Sequence, residues 1–210
     1  MISHIDVSTV LRRSVCDLYS NLVTRPTGAA VRIGIEHHLD EIGDKALAVL
    51  DFSHVGLLDF SCADEIVAKL LLQYVSLDLP RREVYFVFYG MSESHMDAIE
   101  AVLERHDLAL VTQLEGGVVQ LVGNVDGDQR RAWDTIGRLG IAHASDVADA
   151  TGMPHELAAR MLETLWQRRL VIRQESGYIA IRSGYAGRVP PAAMFNATAA
   201  GTPGRGMEVS

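Results

Sequence analysis

At 210 residues, with 48% hydrophobic residues, 22% charged residues and a net charge of −8, the chain has a globular composition, long enough for one large or two small domains, and this excludes a disordered polypeptide. No apolar run approaches the ~20 residues that cross a bilayer, and the N-terminus lacks a signal-peptide core, so we expect a cytoplasmic protein with no membrane contact. Cys16 and Cys62 have neither a paired nor a metal-ligand spacing, which favours reduced thiols.

The first 27 residues predict an N-terminal helical extension. Ser8 is a possible N-cap for a helix over residues 8–23. Five apolar residues fall on one side of that helix, as in an amphipathic helix: Val10, Leu11, Val15, Leu18 and Leu22.

The segment 29–43 fits two patterns. Alternate apolar residues from Val31 to Ile35 suit a strand, whereas a repeat that continues to Leu39 and Ile42 suits a helix closed by Gly43. We favour the helix.

Residues 46–75 join a buried strand to an amphipathic helix. Residues 46–50 are a nearly continuous apolar run, typical of a strand covered on both faces. Ser61 is a candidate N-cap, and Asp64 three residues later is close to a capping box. Beyond it, five residues make one apolar stripe: Ile66, Val67, Leu70, Leu71 and Tyr74.

The junction Asp59-Phe60-Ser61-Cys62-Ala63-Asp64-Glu65 resembles that of STAS-like domains, relatives of the anti-sigma factor antagonists. In those antagonists a Ser directly after the Asp is phosphorylated. Here Phe60 occupies that slot and Cys62 replaces a glycine, so the phosphoswitch does not carry over. The Ser-x-Ala-Asp-Glu version is similar to STAS-like domains of uncharacterised function that travel with helix-turn-helix modules. The resemblance covers residues 28–123 and implies a protein-interaction domain.

The remainder of this region, to residue 123, is predicted to contain one further core strand and two strands that pair with each other. The aromatic and branched run 83–90 predicts a core strand, followed by a helix to Asp107 capped by Ser92 or Ser94. Strands over 108–114 and 118–122 would form a hairpin. We therefore predict an α/β (α+β) fold, a mixed sheet with packed helices.

The polar segment 124–128 predicts a linker to a second domain. Residues 129–182 read as three helices and a two-stranded wing, which resembles a winged helix-turn-helix domain. Gly152 marks the turn between its second and third helices, and Pro154 lies at an N-terminal helical position. The Gly- and Pro-rich tail 183–210 is predicted to be flexible and disordered.

The two predicted domains also differ in net charge. Residues 1–128 hold 9 Lys and Arg against 20 Asp and Glu, a net charge of −11, whereas residues 129–188 hold 9 against 6, a net charge of +3. Any nucleic-acid contact is therefore expected in the second domain.

In a winged helix the third helix enters the major groove, and nearby arginines reach phosphates. Glu156 and Glu163 lie on or beside the same face and oppose DNA binding, and the alternative interpretation is that the arginines form ordinary solvated surface. The candidate DNA-binding residues are His155, Arg160, Arg168, Arg169, Arg173 and Arg182.

The candidate partner or regulatory residues surround the start of the second predicted helix of the STAS-like region. Ser61 is either a phosphorylation site or a plain N-cap, and the plain cap is favoured because carboxylates crowd it. Cys62 is either a reactive thiol or a packed one, and packing is favoured. The set is Asp59, Ser61, Cys62, Asp64, Glu65 and Lys69.

No pattern in the sequence indicates catalysis, a metal or a cofactor. The adjacent His37 and His38 point about 100° apart on a helix and cannot both bind a metal from one face. Asp51 and Asp59 flank a turn, and we interpret them as turn caps, since no nucleophile motif accompanies them.

The sequence thus predicts a non-enzymatic, bacterial-type regulatory protein in which a STAS-like protein-interaction domain controls a DNA-binding winged helix. We expect a homodimer, because one weakly basic recognition helix has a small footprint. The alternative is a protein-only adaptor or partner-switching component, similar to an anti-sigma antagonist, whose winged helix docks protein.

Overall fold

A computed structural model describes residues 2–43, 45–75, 82–114 and 117–181. Residues 2–123 contain a five-stranded sheet and its helices, and we call them the sheet unit. Residues 127–181 contain a small three-stranded sheet and further helices, and we call them the C-terminal unit. The predicted α/β fold with a mixed sheet is confirmed.

The strands of the larger sheet lie side by side in chain order. The first four are parallel and the last is antiparallel, which confirms the predicted hairpin at the end of this unit. The strands are β1 Ile2–Asp6, β2 Lys45–Asp51, β3 Glu83–Tyr89, β4 Ala109–Gln113 and β5 Val119–Gly123.

Four helices connect the parallel strands. They are α1 Val7–Ser14, α2 Arg25–Asp40, α3, and α4 Glu93–Arg105. Helix α3 is continuous but changes winding along its length, from α over Phe60–Ala63 through π over Asp64–Lys69 to α over Leu70–Val75.

The pleat of the sheet divides its side chains between two apolar clusters. On β3, Val84, Phe86 and Phe88 join the cluster that contains the helices of the sheet unit. Tyr85 and Val87, on the opposite face, join a second cluster. Successive side chains on a strand point to opposite faces, so both faces of this sheet are covered.

The C-terminal unit covers the second face. Its elements are α5 Gly127–Leu139, β6 Ile141–Ala142, α6 Ala144–Thr151, α7 His155–Gln167, β7 Val171–Gln174 and β8 Gly177–Ala180. Trp133, Leu162 and Leu165 share an apolar cluster with Tyr85 and Val87. The two units therefore have a common core.

Most of the local features predicted for the C-terminal unit are present in the structure. Gly152 ends α6 with a left-handed backbone (φ 73°), and Pro154 precedes the first residue of α7. The hairpin of β7 and β8 is confirmed, but β6 was not anticipated. Helix α5 begins at Gly127, within the segment 124–128 predicted as linker.

The predicted N-terminal helix over 8–23 is wrong in its extent. Helix α1 ends at Ser14, and its N-cap is Asp6, whose carboxylate accepts from the backbone of Ser8 and Thr9. The chain before it is an edge strand. Leu18, predicted to be buried, is 92% exposed.

The predicted helix over 29–43 is confirmed but shifted. It begins at Arg25, because the Thr24 hydroxyl caps it and Pro26 fits its first turn, and it ends at Asp40. Gly43 does adopt a left-handed backbone (φ 94°), three residues beyond the helix. Ser92 caps α4, as one of the two predicted alternatives.

Three predictions fall on residues outside those that the structure describes. They concern Arg182, the tail 183–210 and the hairpin turn at 115–116. Among the described helices, none is long and apolar enough to cross a membrane.

Candidate functional site

Asp59, not Ser61, caps α3. The Asp59 carboxylate accepts from the Cys62 backbone at 2.8 Å and from the Ser61 hydroxyl at 2.9 Å. The predicted Ser61 cap is wrong because the helix begins two residues earlier than predicted, so Ser61 lies within its first turn and its hydroxyl donates to the capping carboxylate. The interpretation of Asp59 as a cap is confirmed. Asp51 likewise accepts from the Ser53 backbone.

Cys62 is a packed thiol. Its side chain is fully buried and donates to the Thr24 carbonyl oxygen at 3.0 Å. Burial, together with the nearby Asp59 charge, raises the pKa of Cys62 to about 12. A thiol with such a pKa stays protonated and unreactive at neutral pH.

Asp64 lies inside the protein with two partners. It is 5% exposed, and its carboxylate oxygens lie 2.8 Å from Arg25 Nη1 and 2.7 Å from His106 Nε2. Burial alone raises the pKa of Asp64, but the hydrogen bonds from Arg25 and His106 outweigh it, and the pKa lies below its usual value.

Glu65 is the centre of the same group. It is 3% exposed and pairs with Arg25 at 2.9 Å, with Arg32 at 3.5 Å and with Lys69. Burial raises the pKa of Glu65, whereas the hydrogen bonds from Lys69 and Arg25 lower it more, and the pKa is below its usual value. We call Arg25, Arg32, Asp64, Glu65, Lys69 and His106 the charged cluster.

The charged cluster joins α2, α3 and the end of α4. Its two carboxylates lie in the π-helical part of α3, and π segments are frequent at functional sites. Here the cations balance the carboxylates, and of the six candidate regulatory residues only Lys69 keeps a largely accessible charge, with 44% of its side chain exposed. The cluster is arranged to hold three helices together.

An exposed apolar patch next to α3 was not predicted. Segment 15–23 runs beside the loop 53–59, with the Leu22 backbone donating to the Leu57 carbonyl oxygen at 2.7 Å. Six apolar side chains on these two segments and at the first residue of α3 are exposed, and we call them the exposed apolar patch: Val15, Leu18, Tyr19, Val23, Leu57 and Phe60. Exposed apolar patches are typical of protein-contact surfaces. The helical spacing of Val15 and Leu18 pointed to burial instead, so the sequence held no clear signal for it.

The third helix of the C-terminal unit, α7, exposes its N-terminal half. His155, Glu156 and Arg160 are exposed, whereas Ala158 and Leu162 face the core. His155 and Arg160 therefore lie where the sequence placed them.

Arg168 and Arg169 lie at the contact between the two units and bind residues of the sheet unit there. Arg168 donates to Gln129 Oε1 at 3.1 Å and to the Asp107 carbonyl oxygen at 3.2 Å. Burial lowers the pKa of Arg168. The guanidinium carbon of Arg169 lies 5.8 Å from the centre of the Tyr85 ring. Both arginines are half-buried and have partners within the protein.

Arg173 lies between α7 and the hairpin. Its guanidinium donates to Glu163 at 2.9 Å and stacks 3.4 Å from the centre of the Trp166 ring. Arg168, Arg169 and Arg173 therefore lie near the end of the third helix, as predicted, but each makes contacts within the protein.

The described residues bring no group of three or more His, Cys, Asp or Glu side chains into metal-binding proximity. His38 contacts the Gly34 carbonyl oxygen of its own helix through Nδ1, and His4 pairs with Asp51 at 3.1 Å. These histidines have structural partners.

The chain matches no protein-family model, and comparison with curated proteins and with solved structures also gave no match. The site residues themselves are therefore the basis for a functional proposal.

Proposed function

We propose that this chain is a non-enzymatic regulatory protein in which a STAS-like sheet unit controls a winged-helix unit that binds duplex DNA. The observation that carries the proposal is the position of α7: its N-terminal half, with His155 and Arg160, is exposed, while its other side packs in the common core. Insertion into the major groove needs such a helix, and the hairpin of β7 and β8 follows as a wing.

The serine and the cysteine near the start of α3 are both engaged within the protein, which supports a role without catalysis. The Ser61 hydroxyl donates to Asp59, and the Cys62 thiol is buried and protonated. The sheet unit would contact a protein partner through its exposed apolar patch. Two copies of the chain would enlarge the small DNA footprint of one recognition helix.

The alternative, a protein-only adaptor, is favoured by one observation. Asp146 and Asp149 are exposed on α6, and Glu156 is exposed on α7 one helical turn before Arg160. Carboxylates on this surface repel a polyanion, and they would suit a protein partner that carries basic residues.

Salt-dependent DNA binding separates the two functions. Fluorescence anisotropy would be measured with random and genomic duplex fragments at two salt concentrations, for the wild type, Arg160→Ala and Arg13→Ala. Arg13 is an exposed arginine of the sheet unit and serves as the matched control. DNA binding predicts an affinity that falls with salt and drops only in Arg160→Ala, because counterion release accompanies each phosphate or base contact. An absence of binding to both duplex pools would favour the adaptor.

A further inference from the structure

One carboxylate joins the wing to the third helix of the C-terminal unit. Glu163 on α7 accepts from the Arg173 guanidinium at 2.9 Å and from the Tyr178 hydroxyl at 3.3 Å, both through Oε2. Its other oxygen accepts from Gln167 at 3.3 Å. Arg173 and Tyr178 are paired residues on β7 and β8, so Glu163 holds both strands of the wing.

The guanidinium of Arg173 is fixed on its other side by an aromatic stack. It lies 3.4 Å from the centre of the Trp166 ring, and Arg169 lies 5.6 Å from the same ring. Arg169 also lies 5.8 Å from the Tyr85 ring on β3 of the sheet unit. Stacking on an aromatic face orients a guanidinium while leaving its edge free for an anion. Trp166 would therefore keep Arg173 oriented even without Glu163.

We propose that Glu163 restrains Arg173 when no DNA is bound, because the Glu163 carboxylate occupies the place on the guanidinium that a DNA phosphate would take. A guanidinium binds carboxylate and phosphate with the same donor geometry. This inference rests on the proposed DNA binding and specifies how the same site is restrained.

The exposure of the pair makes the restraint reversible. The side chains of Arg173 and Glu163 are 44% and 39% exposed, so a phosphate can approach them. Partly exposed ion pairs are weak, and DNA can therefore displace this one. The displaced carboxylate would still lie close to the phosphate and repel it, so the wild type binds DNA less tightly than a chain without this charge.

The test compares two substitutions that remove one negative charge from the same helix. Glu163→Gln removes the negative charge that pairs with Arg173. Glu156→Gln removes an exposed carboxylate for which no ion pair is found among the described residues. DNA affinity would be measured by anisotropy over a series of salt concentrations, with the Arg173→Ala background as a further control. The thermal unfolding of each variant would confirm that it folds.

For Glu163→Gln we expect an affinity about fivefold higher, the equivalent of one weak ion pair. We also expect a log–log salt slope steeper by about 0.9, because in the wild type the nearby carboxylate cancels the positive charge with which Arg173 would neutralise one phosphate. Glu156→Gln should leave the salt slope unchanged. In the Arg173→Ala background, Glu163→Gln should no longer steepen the slope.

Equal changes in Glu163→Gln and Glu156→Gln would show that only net charge matters and would overturn the restraint, while leaving the proposed DNA binding intact. An effect of Glu163→Gln that persists without Arg173 would overturn it as well. If neither the wild type nor any variant binds duplex DNA, both the restraint and the proposed function are wrong.

Discussion

Two groups of polar side chains in this protein differ in how well their atoms are paired. In the charged cluster, the buried carboxylate of Asp64 meets Arg25 and the His106 imidazole, and that of Glu65 meets three cationic side chains. Only the Arg32 Nε of this cluster, 3.5 Å from Glu65, is buried without a hydrogen bond of good geometry among the described residues. At the contact between the units, the Tyr85 hydroxyl, the Trp166 Nε1 and the Arg169 Nε are buried, and none of them makes a hydrogen bond of good geometry within the described residues, although the Trp166 side chain and the Arg173 backbone lie close enough to the Tyr85 hydroxyl to affect its pKa. A paired cluster locks helices together, whereas unpaired donors make a contact costly to hold.

The backbone adds to this difference. Arg169 has a left-handed conformation (φ 60°), which is strained for a residue with a side chain. Residues at the contact between the units are thus held at a cost, and the proposed function would use a contact that can change. The charged cluster suits a fixed scaffold.

The largest effect is expected from neutralising the centre of the charged cluster. Glu65→Gln removes the charge that Arg25, Arg32 and Lys69 share, and it should lower the free energy of unfolding by about 3 kcal/mol. Urea unfolding measures this value. The control is Glu83→Gln, because Glu83 pairs with Lys45 where both side chains are partly exposed, and its loss should cost less than about 1 kcal/mol. Equal losses in the two variants would contradict the scaffold role of the cluster.

Acid should weaken the charged cluster next. The pKa values of Asp64 and Glu65 lie below their usual values of 3.8 and 4.5, so the folded protein binds fewer protons than the unfolded chain in this range. Their stabilisation is complete above these usual values and is lost as the pH falls through and below them. We expect a loss of about 2 kcal/mol between about pH 5 and pH 3. Urea unfolding across this range should show a shallower dependence in Glu65→Gln, and an unchanged dependence would contradict the assignment.

A smaller effect is expected at the close contact of α2 with α3. A Cβ added to Gly28 would lie 2.9 Å from the Cys62 Cα and 3.1 Å from the Glu65 Cβ. Gly28→Ala must therefore push the two helices apart, and it should cost about 2 kcal/mol of unfolding free energy. The control is Gly127→Ala, which meets no atom within 4 Å and begins a helix. Thermal unfolding should leave this control unchanged or slightly more stable, and a loss equal to that of Gly28→Ala would contradict the packing account.

The sequence predicted the elements that local pattern determines. The apolar run of β2 and the aromatic run of β3 are visible in a few adjacent residues, and so are the Ser92 cap and the Gly152 turn. Strand β1 was missed because its residues, Ile2–Asp6, carry neither an apolar run nor a clear alternation.

The sites were harder to predict because their contacts join distant segments. Arg25 and Asp64 are 39 residues apart, and Arg168 and Asp107 are 61 apart. The composition of a segment identifies an arginine but not whether its partner is a carboxylate, an aromatic ring or DNA. The candidate residues at Asp64 and Glu65 were therefore chosen as surface positions, although tertiary pairing buries them.

The smallest effects are expected at two tyrosines, where removal of the hydroxyl should change the free energy of unfolding in opposite directions. This test compares a buried hydroxyl at the contact between the units with a hydrogen-bonded one. Tyr85→Phe removes a buried hydroxyl that makes no hydrogen bond of good geometry among the residues the structure describes, and it should raise the free energy of unfolding by about 1 kcal/mol. Tyr178→Phe removes a hydroxyl that donates to Glu163, and it should lower the same quantity by less than about 1 kcal/mol. Thermal unfolding of both variants measures the two signs. A loss of stability in Tyr85→Phe would mean that its hydroxyl is paired in solution, and the contact between the units would then be as well satisfied as the charged cluster.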